Sequence, residues 1–435
     1  MLNVRKPGLP ERLFLFSCAL AVFGYGVGVG RYEVFPFSAL KFAQDSLVQV
    51  VQERGTLLGT RPTEFLEPAR YAGNGVTLSR PHRAVPGLTL ISGFFDGGNQ
   101  IRLVRMDGSI VNHWPVRFLD VFPSPDHIAP KEEIPKTNWN AAIHGALLLP
   151  DGSVLFNFTY KGSVKLDRCG QTQWTLNRMT HHSVSRASDG TFWIPSARYV
   201  QTNSRLPKLH PPYVEDMILK VSEDGEVLTE ISVPEILFRN NLQGMLFWKK
   251  GTGDLTHVND VEELFPEMAD RFPMFAPGDL LVSMRMQHMV FVVDPKTLIV
   301  KWYQAGPWLG QHDPDFLENG KILVFNNNDD GTAEGSIYGG SNVIEVDPAS
   351  REITFRYGAD PRQRMFTRER GKHQELRGGN ILITESNAGR AFEVDSRGEV
   401  VWEFVNRYDH TDVALVTEAT RYPEDYFAVH DWTCP

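Results

Sequence analysis

Gln311-His312-Asp313-Pro314-Asp315-Phe316-Leu317-Glu318-Asn319-Gly320-Lys321-Ile322-Leu323-Val324-Phe325 reads as a β-hairpin. A short strand opens on a histidine, turns at Asn-Gly and continues into a second, apolar strand, the strongest short-range hairpin signal a sequence carries. The pattern recurs. Ile143-His144 leads to Asp151-Gly152 and then Val154-Leu155-Phe156, and His181-His182 leads to Asp189-Gly190 and then Phe192-Trp193-Ile194. In these copies the last histidine stands eight residues ahead of its glycine. His373 stands only six ahead of Gly379, a shift of two that keeps a strand side chain on the same face. His257 stands 21 ahead of Gly278, so that hairpin carries an insertion, Phe265 to Phe275.

Each unit also closes alike, with an apolar strand, an Asp turn and a strand bearing an aromatic: Asp167 and Trp174, Asp294 and Trp302, Asp347 and Phe355, Asp395 and Trp402. Four strands per unit make a propeller blade. The expected fold is therefore all-β, a six-bladed β-propeller with blades near 88–125, 139–178, 179–235, 255–306, 307–360 and 365–408. The first blade lacks its opening strand, and Val413 to Tyr422 is expected to return and supply it, which removes the open sheet edges. The third blade carries a proline-rich insertion, Gln201 to Glu215, and then a helix, Pro234 to Lys249, that presents Gln243, Phe247 and Trp248 as possible substrate contacts or as packing.

The amino end carries a different signal. Arg5, Lys6 and Arg12 precede an uncharged run over 13–30, close to the lower length that spans a bilayer. The basic flank places residues 1–12 in the cytoplasm and the remainder outside. No A-x-A-like cleavage site follows, which favours an uncleaved single-pass anchor over a signal peptide. Gly24, Gly26, Gly28 and Gly30 include small-xxx-small spacings that suit a homodimer or another membrane-protein partner. Apolar residues at helical spacing between Ser38 and Arg54 predict a short amphipathic helix, and a connector then leads to a propeller over 87–435.

The net charge of −9 argues against nucleic-acid binding. With 42% hydrophobic and 22% charged residues, the composition is that of a folded domain with a large core. Of the three cysteines, Cys18 lies in the apolar run. Cys169 and Cys434 would face an oxidising compartment, so a Cys169–Cys434 disulfide is expected.

His144, His182, His257, His312 and His373 head the inner strands and would converge on one central channel, where imidazoles from different blades could surround one small ligand. A shared strand motif kept for packing would give the same repeat.

At these residues the chain resembles the bacterial arylsulfotransferases, six-bladed periplasmic propellers that move a sulfuryl group from one phenol to another. The match lies in His182 of HHSVSRASDGTFWIP, His257 and Asn259 of LTHVNDVEEL, Arg285 of LLVSMRMQHMVFVVD, His312 of QHDPDFLENGKILVF, and the last blade, LRGGNILITESNAGRAFEVDSRGEVVWEF. The resemblance implies His312 as the nucleophile of a transient sulfohistidine and His257, Asn259 and Arg285 around the sulfate oxygens. It also implies His182 as a further active-site histidine, with His181 competing for that assignment. His144, His373 and Arg390 join as substrate-binding candidates. An aryl sulfate donor and a phenolic acceptor are implied, no cofactor is, and the location would be the bacterial inner membrane with the propeller in the periplasm. Ser183, where relatives often carry an acid, and Asp260, where a small hydroxyl residue is common, bear on substrate choice.

The chemistry agrees. A neutral imidazole is a nucleophile near neutral pH, an arginine fork suits a sulfonate as it does a phosphate, and a second histidine can protonate a departing phenolate. Two other readings stay open: a copper or zinc site among the histidines, and a membrane-anchored binding or assembly module.

Overall fold

The computed structural model describes residues 8–32, 34–37, 40, 61–247 and 253–434. Two compact units emerge, Met1–Glu64 and Phe65–Pro435.

In the first unit, Leu9–Tyr32 forms a single helix of 24 residues. It outruns the expected 13–30 span at both ends. Pro10 is tolerated in a first turn, where no backbone N–H is required. The Gly8 N–H donates to the Glu11 carboxylate at 2.7 Å, and Arg31 faces the negative helix end. At about 1.5 Å per residue the helix is roughly 36 Å long, against a hydrocarbon core of about 30 Å. It is long and apolar enough to cross a membrane. The amphipathic helix expected between Ser38 and Arg54 lies outside the described residues, save Leu40.

The second unit is the six-bladed propeller, each blade built on an antiparallel sheet with its first strand innermost, and Gly253–Asp254 adds a short parallel strand to blade three. Blade two runs Ile143–Leu148, Val154–Phe158, Gly162–Leu166 and Thr172–Leu176. Blade four runs Val258–Glu263, Leu280–Met284, Met289–Val293 and Val300–Ala305, and blade five His312–Phe316, Ile322–Asn326, Asn342–Val346 and Ile353–Tyr357. The two middle strands of blades two, four and five are buried throughout and pack blade on blade, whereas their fourth strands are half exposed. Blade-end tryptophans lock neighbours together: the indole N–H of Trp114 donates to the Asp167 carbonyl, Trp174 to Glu223 and Trp402 to Met106.

Blade one closes as the repeat implied. Val416–Tyr422 pairs with Leu88–Phe95, from Val416 opposite Gly93 to Tyr422 opposite Leu88. Cys169 and Cys434 are disulfide-bonded, their Cα atoms 5.5 Å apart.

The connector is not a linker throughout. Leu66–Pro68 pairs with Asp412–Ala414, and Gly75–Ser79 adds a fifth strand to blade six against Val400–Val405, so the compact unit begins at Phe65 and not at residue 87. The helix expected over Pro234–Lys249 stops at Arg239. Ser232 caps its start by accepting the Glu235 N–H. Asn240 then spends its amide on the Ile236 and Leu298 carbonyls, and Asn241 turns left-handed at φ 59°, which an α-helix cannot continue. Gln243 follows in a separate turn of 3-10 helix, and Trp248 lies outside the described residues.

Candidate active site

The inner strands that carry histidine are irregular. Ladder bulges fall between Ile143 and Ala146 in blade two, Val258 and Asp260 in blade four, and His312 and Asp315 in blade five. In blade three the strand breaks into Met179–Thr180 and Ser185–Arg186 around His181-His182. A bulge adds an unpaired residue and re-aims its side chain. His182, His257, Asp313, Tyr160 and Arg370 all take left-handed backbone, φ between 50° and 61°, and such strain clusters at functional sites. Gly145 fits the same design, since a Cβ there would collide with the His182 carbonyl.

Four predicted histidines are thereby brought together. The His182 ring lies 4.0 Å from that of His144, 5.0 Å from His257 and 6.1 Å from His312, centroid to centroid. All are buried or nearly so. Burial holds His312, His182 and His144 well below the ordinary histidine range. Arg285 pushes His312 further the same way, and Arg370 does so for His144. These three rings are neutral near neutral pH.

His312 has its proton placed by its neighbours. Nδ1 lies 3.0 Å from the Gly310 carbonyl and 2.7 Å from Oδ1 of Asn327. The Asn327 amide nitrogen donates to the carbonyls of Thr367 and Arg370, so its oxygen can only accept. Nδ1 therefore carries the hydrogen, and the lone pair is on Nε2.

His257 is set differently. Its Nδ1 meets Oδ2 of Asp254 at 2.6 Å, with the Tyr160 hydroxyl at 3.4 Å. Burial, the largest single influence, works to raise the Asp254 pKa, yet the hydrogen bonds and charge of His257 together with the charge of His181 hold it below the usual carboxylate range. That carboxylate accepts from Nδ1 and leaves Nε2 facing the other rings. Burial pushes the Tyr160 phenol far above its usual range, so it stays protonated.

His181 takes the other role of its pair. It lies beneath the Tyr160 ring, centroids 4.2 Å apart, with Nδ1 2.8 Å from Nδ1 of His182 and Nε2 3.4 Å from the buried Asp216 carboxylate. His182 alone of the two touches the His144, His257 and His312 rings. Arg285 follows the second strand of blade four, its backbone N–H donating to the His257 carbonyl, while its side-chain Nε has no hydrogen-bond partner. Asn259 gives one amide N–H to the Gln311 carbonyl at 2.7 Å, which ties blade four to the residue before His312.

Two predicted residues are not in this cluster. His373 faces Asp313 and Asp315. Its strand pairs regularly, His373 opposite Ile383, without the bulge that lifts His312, so six residues of spacing do not place it level with the others. Arg390 is enclosed by Glu385 at 3.2 Å and Glu403 at 2.6 Å, its guanidinium lying over the Tyr71 and Phe392 rings. Those partners use its donors within blade six.

Tyr160, Asp254, Asn327, Arg370 and Glu369 were not singled out by the repeat. Asp254, three residues before His257, was readable from local spacing. Asn327, at the end of the strand paired with His312, was readable from register. Glu369 keeps its charge because Arg370 outweighs burial, with Arg285 adding to it. Tyr160 sits at a hairpin tip and Arg370 in the connection between blades five and six, and their neighbours come from other blades.

The described arrangement brings together an imidazole nitrogen with a free lone pair, a second imidazole backed by a carboxylate, and the guanidiniums of Arg285 and Arg370, the latter 3.1 Å from the Glu369 carboxylate. Compared with known proteins, residues 145–407 match the family described as Arylsulfotransferase (ASST). No curated protein matches the chain. Among solved structures, a protein of unknown function from Bacteroides caccae is 16% identical with a TM-score of 0.49, covering 77% of this chain and 98% of its own. A virginiamycin B lyase from Staphylococcus aureus is 10% identical with a TM-score of 0.40, covering 79% and 89%. Likeness this distant says nothing of chemistry.

Proposed function

Since this chain belongs to the arylsulfotransferase family, we propose that it moves a sulfuryl group from an aryl sulfate donor to a phenolic acceptor through a sulfohistidine on Nε2 of His312. The observation that carries this reading is the hydrogen-bonded Nδ1 of His312, which leaves Nε2 as its only lone pair.

In the first half-reaction the Nε2 lone pair attacks sulfur and the bond from sulfur to the aryl oxygen breaks. The departing phenolate takes the proton on Nε2 of His257. The N-sulfo ring carries positive charge, and Gly310 and Asn327 accept from its Nδ1–H throughout. Arg285 and Arg370 face the sulfate oxygens, where donors that strengthen with developing charge lower the barrier. In the second half the acceptor oxygen attacks sulfur, returns its proton to His257, and His312 leaves with its electron pair. Two steps through one covalent intermediate give ping-pong kinetics.

The basic residues before the apolar helix favour the cytoplasm, and the Cys169–Cys434 disulfide needs an oxidising compartment. Both support an inner-membrane anchor with the propeller in the periplasm.

The test uses an aryl sulfate that releases a coloured phenol, with and without a phenolic acceptor, on wild type and His312→Ala. Acceptor-dependent release that the variant lacks supports the reading. No release across a broad donor panel overturns it and leaves a binding module.

A further inference from the structure

A second cluster of ionisable groups lies beside the nucleophile and takes no part in the chemistry above. Asp313 and Asp315 come from the inner strand of blade five and His373 from that of blade six. Nδ1 of His373 is 3.0 Å from Oδ2 of Asp315 and 3.8 Å from Oδ2 of Asp313. The imidazole is wholly enclosed, yet neither of its nitrogens makes a hydrogen bond, the approach to Asp315 lying off the hydrogen-bond direction. A buried ring with a carboxylate beside Nδ1 but no hydrogen bond at either nitrogen is costly, and such a group calls for an explanation.

A cation held between these side chains would supply one. Atoms bound to one ion at about 2.1 Å lie roughly 3.0 Å apart in an octahedron and about 3.4 Å apart in a tetrahedron. One atom from each of Asp313, Asp315 and His373 falls within 4.8 Å of the others. Further acids surround them: Asp260 and Glu262 on the inner strand of blade four, and Glu418 on the returning strand. Lys372 is the other cation here, and it is committed to Oδ1 of Asp313 at 2.6 Å. Oδ2 accepts the His373 backbone N–H at 2.7 Å and keeps a second lone pair. A cleft of about 560 Å³, lined in part by Glu262, Asp315 and Gln374, gives an ion its way in.

We propose that Asp313, Asp315 and His373 bind a divalent transition cation, Zn²⁺ or Mn²⁺, which joins the inner strands of blades five and six next to His312. One imidazole with carboxylate oxygens is a donor set for such ions. The ion would satisfy His373 and offset the surplus of buried carboxylates. It would also fix Asp313, the residue that follows the nucleophile and holds left-handed backbone at φ 53°. Its work is positional, and it is separate from the sulfuryl-transfer reading.

The full chain, carrying no oligohistidine tag and purified without chelator, is assayed for metal by mass spectrometry. After chelation it is titrated with Zn²⁺ and with Mn²⁺ alone while thermal unfolding is followed, since an ion bound by the folded state raises the melting temperature. One ion per chain is expected, with a melting temperature that rises with added ion. Asp315→Asn and His373→Gln should each weaken binding about 100-fold or more, and His182→Ala should not. His373→Gln, similar in size, keeps the test valid if Asp315→Asn fails to fold. Absence of binding at 100-fold molar excess overturns the proposal. So does binding that survives both cluster variants and disappears in His182→Ala, which would place the ion among the other histidines.

Discussion

Oδ1 of Asn327 lies 2.7 Å from Nδ1 of His312, while the nitrogen of the same amide donates to the Thr367 and Arg370 carbonyls at 3.0 and 2.7 Å. The amide cannot turn over without losing two hydrogen bonds, so it dictates the imidazole tautomer. Asn327→Leu should lower kcat about tenfold with little change in KM, the worth of one such hydrogen bond. It should also cost about 1–3 kcal/mol of stability from the two orphaned carbonyls. Steady-state kinetics and thermal unfolding check both.

Acid should switch the enzyme off later than an ordinary histidine would. His312 must be neutral to attack, and burial first, then Arg285, depress its pKa. The acidic limb of kcat/KM is therefore expected below about 6.5, the ordinary histidine value. Removing the positive charge in Arg285→Gln lets the pKa rise, so the limb moves to higher pH. A pH profile in which the limb stays put, or moves lower, contradicts the placement of Arg285.

His257 backed by Asp254 should matter most for poor leaving groups. His257→Ala is expected to slow donors with weakly acidic phenols by about 10²–10⁴, the usual worth of a positioned acid. Nitrophenyl donors, whose phenolates leave unaided, should be slowed far less. Asp254→Asn should show the same trend in weaker form. Rates across a series of phenols of graded acidity give the comparison.

Arg390 should prove structural. It is buried between Glu385 and Glu403, and breaking such a pair from one side costs about 3–5 kcal/mol. Arg390→Leu is expected to lower the melting temperature strongly. The KM for the donor should stay near wild type in the folded fraction, and a raised KM at unchanged stability would return Arg390 to the substrate site.

Much of this was legible in the chain itself. The recurring histidine, turn and apolar strand reported blade number and order, because a four-stranded sheet repeated in sequence must bury each face against its neighbour. The missing strand of blade one had to come from elsewhere, and of the segment left over, Val413 to Tyr422, residues Val416–Tyr422 supply it while Val413 and Ala414 pair with Leu66–Pro68. The repeat marked the inner-strand histidines, while the roles of His312 and its companions on blades three and four came from the resemblance to the arylsulfotransferases.

What the sequence could not settle was height along the channel and who meets whom. A strand's two-residue period tells the face of a side chain and nothing of a bulge, and the bulge at His312 with regular pairing at His373 separates two histidines that look equivalent in sequence. Likewise His182 and His181 are adjacent in the chain, but only the packing of Tyr160 and Asp216 turns one toward the cluster and the other away. Arg390 has the right chemistry for a sulfonate, and partners up to 13 residues away and Tyr71 from the opposite end of the chain claim it first. Local periodicity thus determined the blades. The tautomer of His312 and the membership of the site rest on contacts between residues distant in sequence, and only the closed propeller brings those together.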